Sequence, residues 1–374
     1  MQNQSLKMPK TQKDFPSPYL YQQESWEEFW LATKDKKHEC FEINATSSNI
    51  TLSGIVYSYP WHFNQQIMHL PGGPFIQNNL QNNDLEIDIE ELKDLLILFF
   101  AKISSVATQK QILSLTVDLD PYITYLLKKD DSFDFITWLK SKSNQNIGVP
   151  VISSKNFLFE KVALIDLDNL KAPSELDSTK NIFDSLGSFF EDNSDYWLSV
   201  SETARKQTRN SLKQDLIIST LKNQENIDVF YEVLEKTAQR QKFSIQPKDY
   251  FSDLINQNFA HLLIVKSLDQ KVSNVWLGLE VNNSLINLFG GNVLDTEVRN
   301  GNNFSHLYGM YIAKKLNKKF YDLGGYDPKG STAKFKNSYK PQIINFGGHF
   351  DLVYLPWYYK IIEIGLTGKK VLKK

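Results

Sequence analysis

VSNVWLGLEVNNSLINLF, residues 272–289, holds two apolar-rich runs, Val272 to Val281 and Leu285 to Phe289, on either side of Asn282-Asn283. Asparagine tolerates the left-handed backbone that a tight hairpin needs, so the stretch predicts two antiparallel strands. A strand over Leu262 to Lys266 precedes it, and a helix bearing Phe304, Leu307, Tyr308 and Tyr311 follows, then a strand over Lys319 to Leu323. The same order occurs upstream. A helix over Ser25 to Lys34 sets Trp26, Phe29 and Trp30 on one face, and strands over His38 to Asn44, Ile50 to Tyr59 and Gln66 to Leu70 come next. Leu92, Leu95, Leu96, Phe99, Ile103 and Val106 then keep a helical period, and a strand over Gln111 to Leu119 stops at Pro121.

Helix, three strands, helix, strand, twice over, predicts a structural duplication, although no residue-level repeat is visible. The expected fold class is α/β with mixed (α+β) sheets, arranged as two tandem acetyltransferase-like (GNAT-like) domains. A helix over Phe133 to Lys140 and a strand over Lys161 to Leu167 close the first half. From Leu170 to Asp195 the chain is rich in Ser, Asp and Asn, as in a linker. The expected domains are 1–175, completed by the tail 345–374, and 176–344.

The 374 residues suit two domains, and 41% hydrophobic with 13% aromatic residues can form packed cores. Lys plus Arg (42) nearly balances Asp plus Glu (43), so an anionic ligand needs a local cluster. One cysteine, Cys40, excludes an internal disulfide, and the six histidines show no zinc spacing, so neither metal nor cofactor is expected. Residues 1–16 lack the apolar core of a secretory signal, and the run Leu95 to Ala101 is far short of the ~20 residues that span a bilayer. The expectation is a cytoplasmic monomer.

Ser199 with Glu202 forms a capping-box pattern, predicting a helix whose Arg205 and Arg209 share one face beside Lys206 and Lys213. Such a face is either solvated or suited to phosphate, with which arginine forks pair bidentately. Tyr321-Asp-Leu-Gly-Gly325 runs a strand into paired glycines, ahead of Phe335-Lys336 and Phe346-Gly-Gly348. Gly324 and Gly325 either let a ligand approach the backbone or make a plain turn. Gly325 to Gly330 has a phosphate-loop offset, but Ser331-Thr332 stand where Lys-Ser/Thr is required, which excludes a nucleoside triphosphatase. Asp118, Asp120 and Asp351 are candidates for acid/base work or for helix caps and turns. No nucleophile elbow is present, and nothing marks Cys40 as a nucleophile.

Several stretches together resemble the Fem family of peptidoglycan-bridge aminoacyl transferases. These are Trp30-Leu-Ala-Thr-Lys34, Gly73-Pro74, Thr116-Val-Asp-Leu-Asp-Pro121, Thr203 to Lys213, Lys236-Thr-Ala-Gln-Arg240, Tyr321 to Gly325, Phe335-Lys336 and Phe350-Asp-Leu-Val353. The ordered set runs from Trp26 to Pro356, and Tyr-Asp-x-Gly-Gly followed by Phe-Lys is its most specific part. The resemblance implies transfer of an amino acid from aminoacyl-tRNA to a stem-peptide amine of a peptidoglycan precursor, UDP-MurNAc-peptide or lipid II. It also implies a doubled acetyltransferase-like fold whose C-terminal tail returns to the first domain. By position Lys34, Arg205 and Arg209 resemble the family's phosphate-binding residues, and Lys336, after Phe335, its lysine beside the acyl ester. Either Asp120 or Asp351, or the substrate's own groups, would then take the amine's proton.

Asn287 and Phe289 stand where tyrosine is usual in the family. The segment between Gln241 and Leu262 leaves no room for a coiled-coil arm, which matches the armless type. The acetyl-CoA signature is absent from both halves, which disfavours a CoA thioester donor. The alternatives are an acyltransferase of this fold acting on another cell-surface polysaccharide precursor, and a non-catalytic binding protein. The tail Trp357 to Leu366, ending in lysines, either packs on the first domain or makes peripheral contact with the inner membrane face.

Overall fold

The computed structural model describes residues 22–33, 38–61, 65–79, 87–128, 133–153, 160–173, 182–293, 300–345 and 349–371. Lys34 and Phe346-Gly-Gly348 lie outside the described residues. The chain divides into two units, Met1–Glu160 with Asn345–Lys374, and Lys161–Ile344.

Unit 1 opens with α1 (Glu24–Ala32), which buries Trp26 and Phe29. β1 (Glu39–Thr46), β2 (Ile50–Pro60) and β3 (Gln66–Pro71) form an antiparallel meander, with β4 (Phe75–Asn78) paired to β2. α2 (Ile89–Gln109) is capped by Asp88, whose carboxylate accepts from Glu90 N at 2.9 Å. Leu92, Leu95, Leu96, Phe99 and Ile103 face the core as their period predicts. β5 (Ser114–Asp118) then pairs parallel to β3, an arrangement that needs a crossover and has one in α2. α3 (Pro121–Leu127), α4 (Phe135–Ser141) and β6 (Val149–Ile152) complete the N-terminal part.

In unit 2, β7 (Lys161–Asp166) is followed by α5 (Ile182–Asp192), α6 (Ser194–Ser199), α7 (Glu202–Leu212), β8 (Leu216–Ser219), α8 (Gln224–Gln241) and α9 (Lys248–Ile255). β9 (Ala260–Ser267), β10 (Val272–Val281) and β11 (Ser284–Asn292) form the second meander, and Asn282 has the expected positive φ of 44° in its turn. α10 (Gly301–Lys315) crosses to β12 (Phe320–Gly325), parallel to β11. α11 (Ala333–Ser338) and β13 (Gln342–Asn345) end the unit; β14 (His349–Val353) and α12 (Pro356–Val371) belong to unit 1.

The two sheets have the orders β1-β2-β3-β5-β14-β6, with β4 added to β2, and β8-β9-β10-β11-β12-β7-β13. β5 and β12 occupy equivalent places, each parallel to the end of a meander and antiparallel to a strand from elsewhere, β14 or β7. Strands, helices and pairing senses thus repeat even though the residues do not.

Three expectations need correction. β7, counted with the first half, pairs with β12 in the second sheet, so the units divide after Glu160 and not near residue 175. The stretch taken for a linker contains α5, which buries Leu186, Phe189 and Phe190, and α6, which buries Trp197. Apolar residues at helical spacing outweigh the polar composition there. Finally, Ser199 ends α6, and α7 is capped by Ser201, whose Oγ accepts from Ala204 N at 3.3 Å.

Candidate functional site

The strongest concentration of buried ionisable groups in unit 2 lies where β12 meets α10 and α11. β12 carries Tyr321 and Asp322 into the glycine pair. Gly324 has φ +82°, a backbone that disfavours any side chain, and its N–H donates to Asp322 Oδ1 at 2.6 Å. This turn leaves the carbonyl of Gly325 accepting from Lys336 Nζ at 2.5 Å. Lys336 and Phe335 come from the short helix α11, so Gly324, Gly325, Phe335 and Lys336 form one cluster. Lys336 Nζ would lie 3.8 Å from a Cβ at position 324, so the paired glycines keep the strand end open beside the ammonium.

Burial governs the charges. Asp322 is 5% exposed and its pKa is pushed up to about 6 by burial, with the Gly324 amide and Lys336 pulling the other way. Burial lowers the Lys336 pKa, and the charge of Asp322 opposes that. Each therefore keeps the other ionised against the cost of desolvation. His306, on α10, is driven down to about 3 by burial and by the neighbouring Lys336 charge, so it is neutral. Its Nδ1 pairs with the Tyr321 hydroxyl at 2.9 Å, and Gly309 makes room for that ring, because a Cβ there would meet Tyr321 atoms at 2.5 to 2.6 Å. Phe335 sits 5.2 Å from the His306 ring and 5.3 Å from Tyr339, whose hydroxyl accepts from Asn303 Nδ2 at 2.9 Å. A neutral imidazole and the Tyr339 ring thus pack on Phe335, while the Lys336 ammonium itself is held by the Gly325 carbonyl and the charge of Asp322.

Asp322 stood in the quoted Tyr321 to Gly325 pattern without a role of its own, and His306 escaped the sequence reading. The signal for His306 was legible: Asn303 and His306 lie three apart on a helix that is otherwise nearly all core.

α7 buries Ala204, Thr208 and Ser211, and Ser201 N donates to Ser338 O at 2.9 Å, which ties its start to the end of α11. Arg205 and Arg209 line one pocket of about 310 Å³ with Phe190, Glu191, Trp197 and Leu198. The Arg205 guanidinium donates to the carbonyls of Trp197 (3.2 Å) and Leu198 (3.4 Å), satisfying the C-terminal end of α6. Arg209 lies over the Phe190 ring, 5.5 Å from its centroid. Both arginines therefore hold structure, and Arg209 remains exposed.

Asp120 and Asp351 belong to unit 1. Asp120 is fully buried, and its Oδ1 accepts from the N–H groups of Tyr122 (2.5 Å) and Ile123 (3.0 Å), the job of a helix cap for α3. Asp351 is equally buried; Thr116 donates to one carboxylate oxygen at 2.6 Å and the Tyr359 hydroxyl donates to the other. Both carboxylates are engaged within the fold. Cys40 donates to Glu27 at 2.8 Å, and burial followed by that carboxylate pushes its thiol up to about 12, so it is no nucleophile at neutral pH. Among the described residues no cluster of His, Cys, Asp and Glu could hold a metal ion.

The two mixed α/β sheets of like topology define a protein of doubled α/β fold, the fold it shares with FemX. The FemAB family model matches residues 12–275, and the chain belongs to that family. Its structure is similar to the crystal structure of FemX, at 14% identity and a TM-score of 0.65, over 94% of this chain and 96% of that one. Weaker likenesses are to the C-terminal domain of a putative lysylphosphatidylglycerol synthetase from Agrobacterium fabrum (12% identity, TM-score 0.46, covering 89% and 88%). A tandem GNAT protein from the clavulanic acid biosynthesis pathway is also similar, at 7% identity and TM-score 0.44, covering 86% and 85%. No curated protein matches the chain by sequence.

Proposed function

We propose that the chain is an aminoacyl transferase that moves an amino acid from aminoacyl-tRNA to the stem-peptide amine of a peptidoglycan precursor, UDP-MurNAc-peptide or lipid II, in building the interpeptide bridge. The observation that carries this reading is Lys336, an ammonium desolvated beside an open glycine turn and kept ionised by Asp322. Attack of an amine on an aminoacyl ester makes a tetrahedral oxyanion. A fixed cation in a low-dielectric setting stabilises that charge without reorganising at the moment of reaction. The ester is already activated, so no covalent intermediate on the protein is needed, in keeping with the unreactive Cys40.

Membership of the FemAB family and likeness to FemX along nearly the whole chain support the same reading. Arg209, exposed and basic, suits a precursor's phosphates. No described helix is long and apolar enough to cross a membrane. On α12, Tyr359 and Ile362 are buried while Trp357 (64% exposed), Ile361 (56%) and Ile364 (72%) form an opposite apolar stripe, which favours peripheral contact with a membrane carrying lipid II. A tRNA donor sets the reaction in the cytoplasm.

The test is incubation with a mixed pool of charged tRNAs and muropeptide precursor, followed by mass spectrometry of the peptide. A mass gain equal to one amino acid residue is expected. No gain with any donor would dismiss the reading. Lys336→Met should lower kcat by about 10²- to 10³-fold in a protein that still unfolds cooperatively, with a lower melting temperature because the buried Asp322 loses its partner; an unaltered kcat would remove Lys336 from the chemistry.

A further inference from the structure

β11 and β12 pair in parallel over three residues only, Ser284 with Phe320, Leu285 with Tyr321 and Ile286 with Asp322. Two local features end the ladder there. Against β10, Gly278 faces Asn287 while Leu277 faces Phe289, so Leu288 is an extra residue, and such a bulge bends its strand away from the regular path. On β12, Gly324 turns at φ +82°. The Phe320 amide donates to the Asn283 carbonyl at 3.0 Å, and in a parallel ladder that bond recurs every second residue, which would bring the Gly324 amide to the Asn287 carbonyl. The Gly324 amide donates instead to Asp322 Oδ1 at 2.6 Å. Asn287 therefore turns a main-chain acceptor, deprived of its ladder donor, toward the place where the strands part.

That place is open. A Cβ on Gly324 would lie 3.3 Å from Asn287 O and 3.8 Å from Lys336 Nζ, and apart from the glycine's chain neighbours no other atom of the described residues comes within 4 Å of the point. Asn287, Gly324, Gly325 and Lys336 are all partly exposed, whereas Tyr321 and Asp322 just before them are buried. A ligand atom near that point reaches the carbonyl at hydrogen-bonding distance with the ammonium close by. β11, β12 and α11 all belong to unit 2, so the seat is complete within one unit.

A carbonyl oxygen only accepts, so its partner must bring an N–H or O–H. In an aminoacyl ester whose carbonyl oxygen faces Lys336, the ribose ester oxygen has no proton to give. The α-amino nitrogen has, and covalent geometry keeps it about 3 Å from the carbonyl oxygen. Beside the Lys336 charge its neutral amine form is favoured over the ammonium, which leaves an N–H for Asn287 and a lone pair toward Lys336.

We propose that the Asn287 carbonyl, uncovered by the Leu288 bulge and the Gly324 turn, seats the α-amino group of the donor, so that this site selects α-aminoacyl groups over other acyl groups. The inference rests on the aminoacyl-transfer reading, which sets the ester carbonyl at Lys336. An acyl group without the amine would leave the Asn287 carbonyl desolvated and without a donor. The side chain of the amino acid plays no part in this selection, because the seat touches only what all α-amino acids share.

The experiment is calorimetric binding of two non-hydrolysable donors to wild type and Gly324→Ala, with melting temperatures. Each donor is an RNA minihelix ending in 3′-amino-3′-deoxyadenosine, one acylated with glycine and the other with acetate, so that they differ by one amino group. Wild type should hold the glycyl form about tenfold or more tightly, as one hydrogen bond to an otherwise unserved carbonyl predicts. In Gly324→Ala the new methyl fills the point beside Asn287, and the preference should shrink to within about twofold. Equal affinities in wild type would overturn the inference, as would a folded Gly324→Ala that keeps the whole preference. If the variant does not fold, the comparison in wild type decides alone. Failure of wild type to bind either form also overturns the seat, while a mass gain in the muropeptide assay would leave the transferase reading standing. A preserved glycyl preference without any mass gain counts against the transferase reading alone.

Discussion

Two buried groups beside Lys336 make opposite demands on pH. His306 has a folded pKa of about 3 against ~6.5 unfolded, so the unfolded chain binds the extra proton. Its contribution is present above pH ~6.5 and is lost as pH falls. Asp322 has a folded pKa of about 6 against ~3.9 unfolded, so here the folded chain binds the extra proton. Its contribution is lost as pH rises through that window. Between pH 4 and 6 each group bends the unfolding free energy by up to ~1.4 kcal/mol per pH unit, in opposite senses. Relative to wild type, His306→Gln should make stability fall more steeply with rising pH, and Asp322→Asn should make it climb more steeply. Urea unfolding at several pH values would show this, and parallel curves for all three proteins would refute it. Lys336, Phe335 and the glycine pair were legible because they stand in a short ordered pattern. The places of Asp322 in the Tyr-Asp-x-Gly-Gly pattern and of His306 on its helix were readable, but their charge states come from desolvation, which those patterns do not display.

At the scale of elements, sequence periodicity served where one face is apolar. α2 and the β10–β11 hairpin lie close to where spacing and the Asn-Asn turn put them. It failed where polar residues dilute an amphipathic helix, as in α5 and α6, and where two serines compete to cap α7. The consequence reaches the arginines. Once α6 exists its last carbonyls need donors, and Arg205 supplies them. Arg205→Ala should therefore cost stability, about 1 kcal/mol, as well as charge. Arg209→Ala removes an exposed charge stacked on Phe190 and should weaken muropeptide binding about tenfold at low salt, less at high salt. Calorimetric titrations at two ionic strengths would test this; equal affinities at low salt would exclude Arg209 from the binding surface.

For the molecule as a whole, the duplication was readable from element order, but the exchange of flanking strands was not. β7 follows the first half in sequence yet lies beside β12, and β14 follows the second half yet lies beside β5. Pairing between distant segments is set by which edge is open, a property of the assembled sheet. A fragment of residues 161–345 contains all seven strands of its sheet and should unfold cooperatively by itself. Residues 1–160 lack β14 and should not. Circular dichroism of the two fragments in urea would decide, and a cooperative transition in the shorter one alone would contradict the assignment.

β14 is inserted between β5 and β6, so β6 has no neighbour in its sheet until residues near 353 have been made. On a ribosome the portion that emerges first is consequently the last to be finished. Its open β5 border must wait while some two hundred further residues are translated, a period in which a chaperone or the nascent chain itself has to shield that border from other strands.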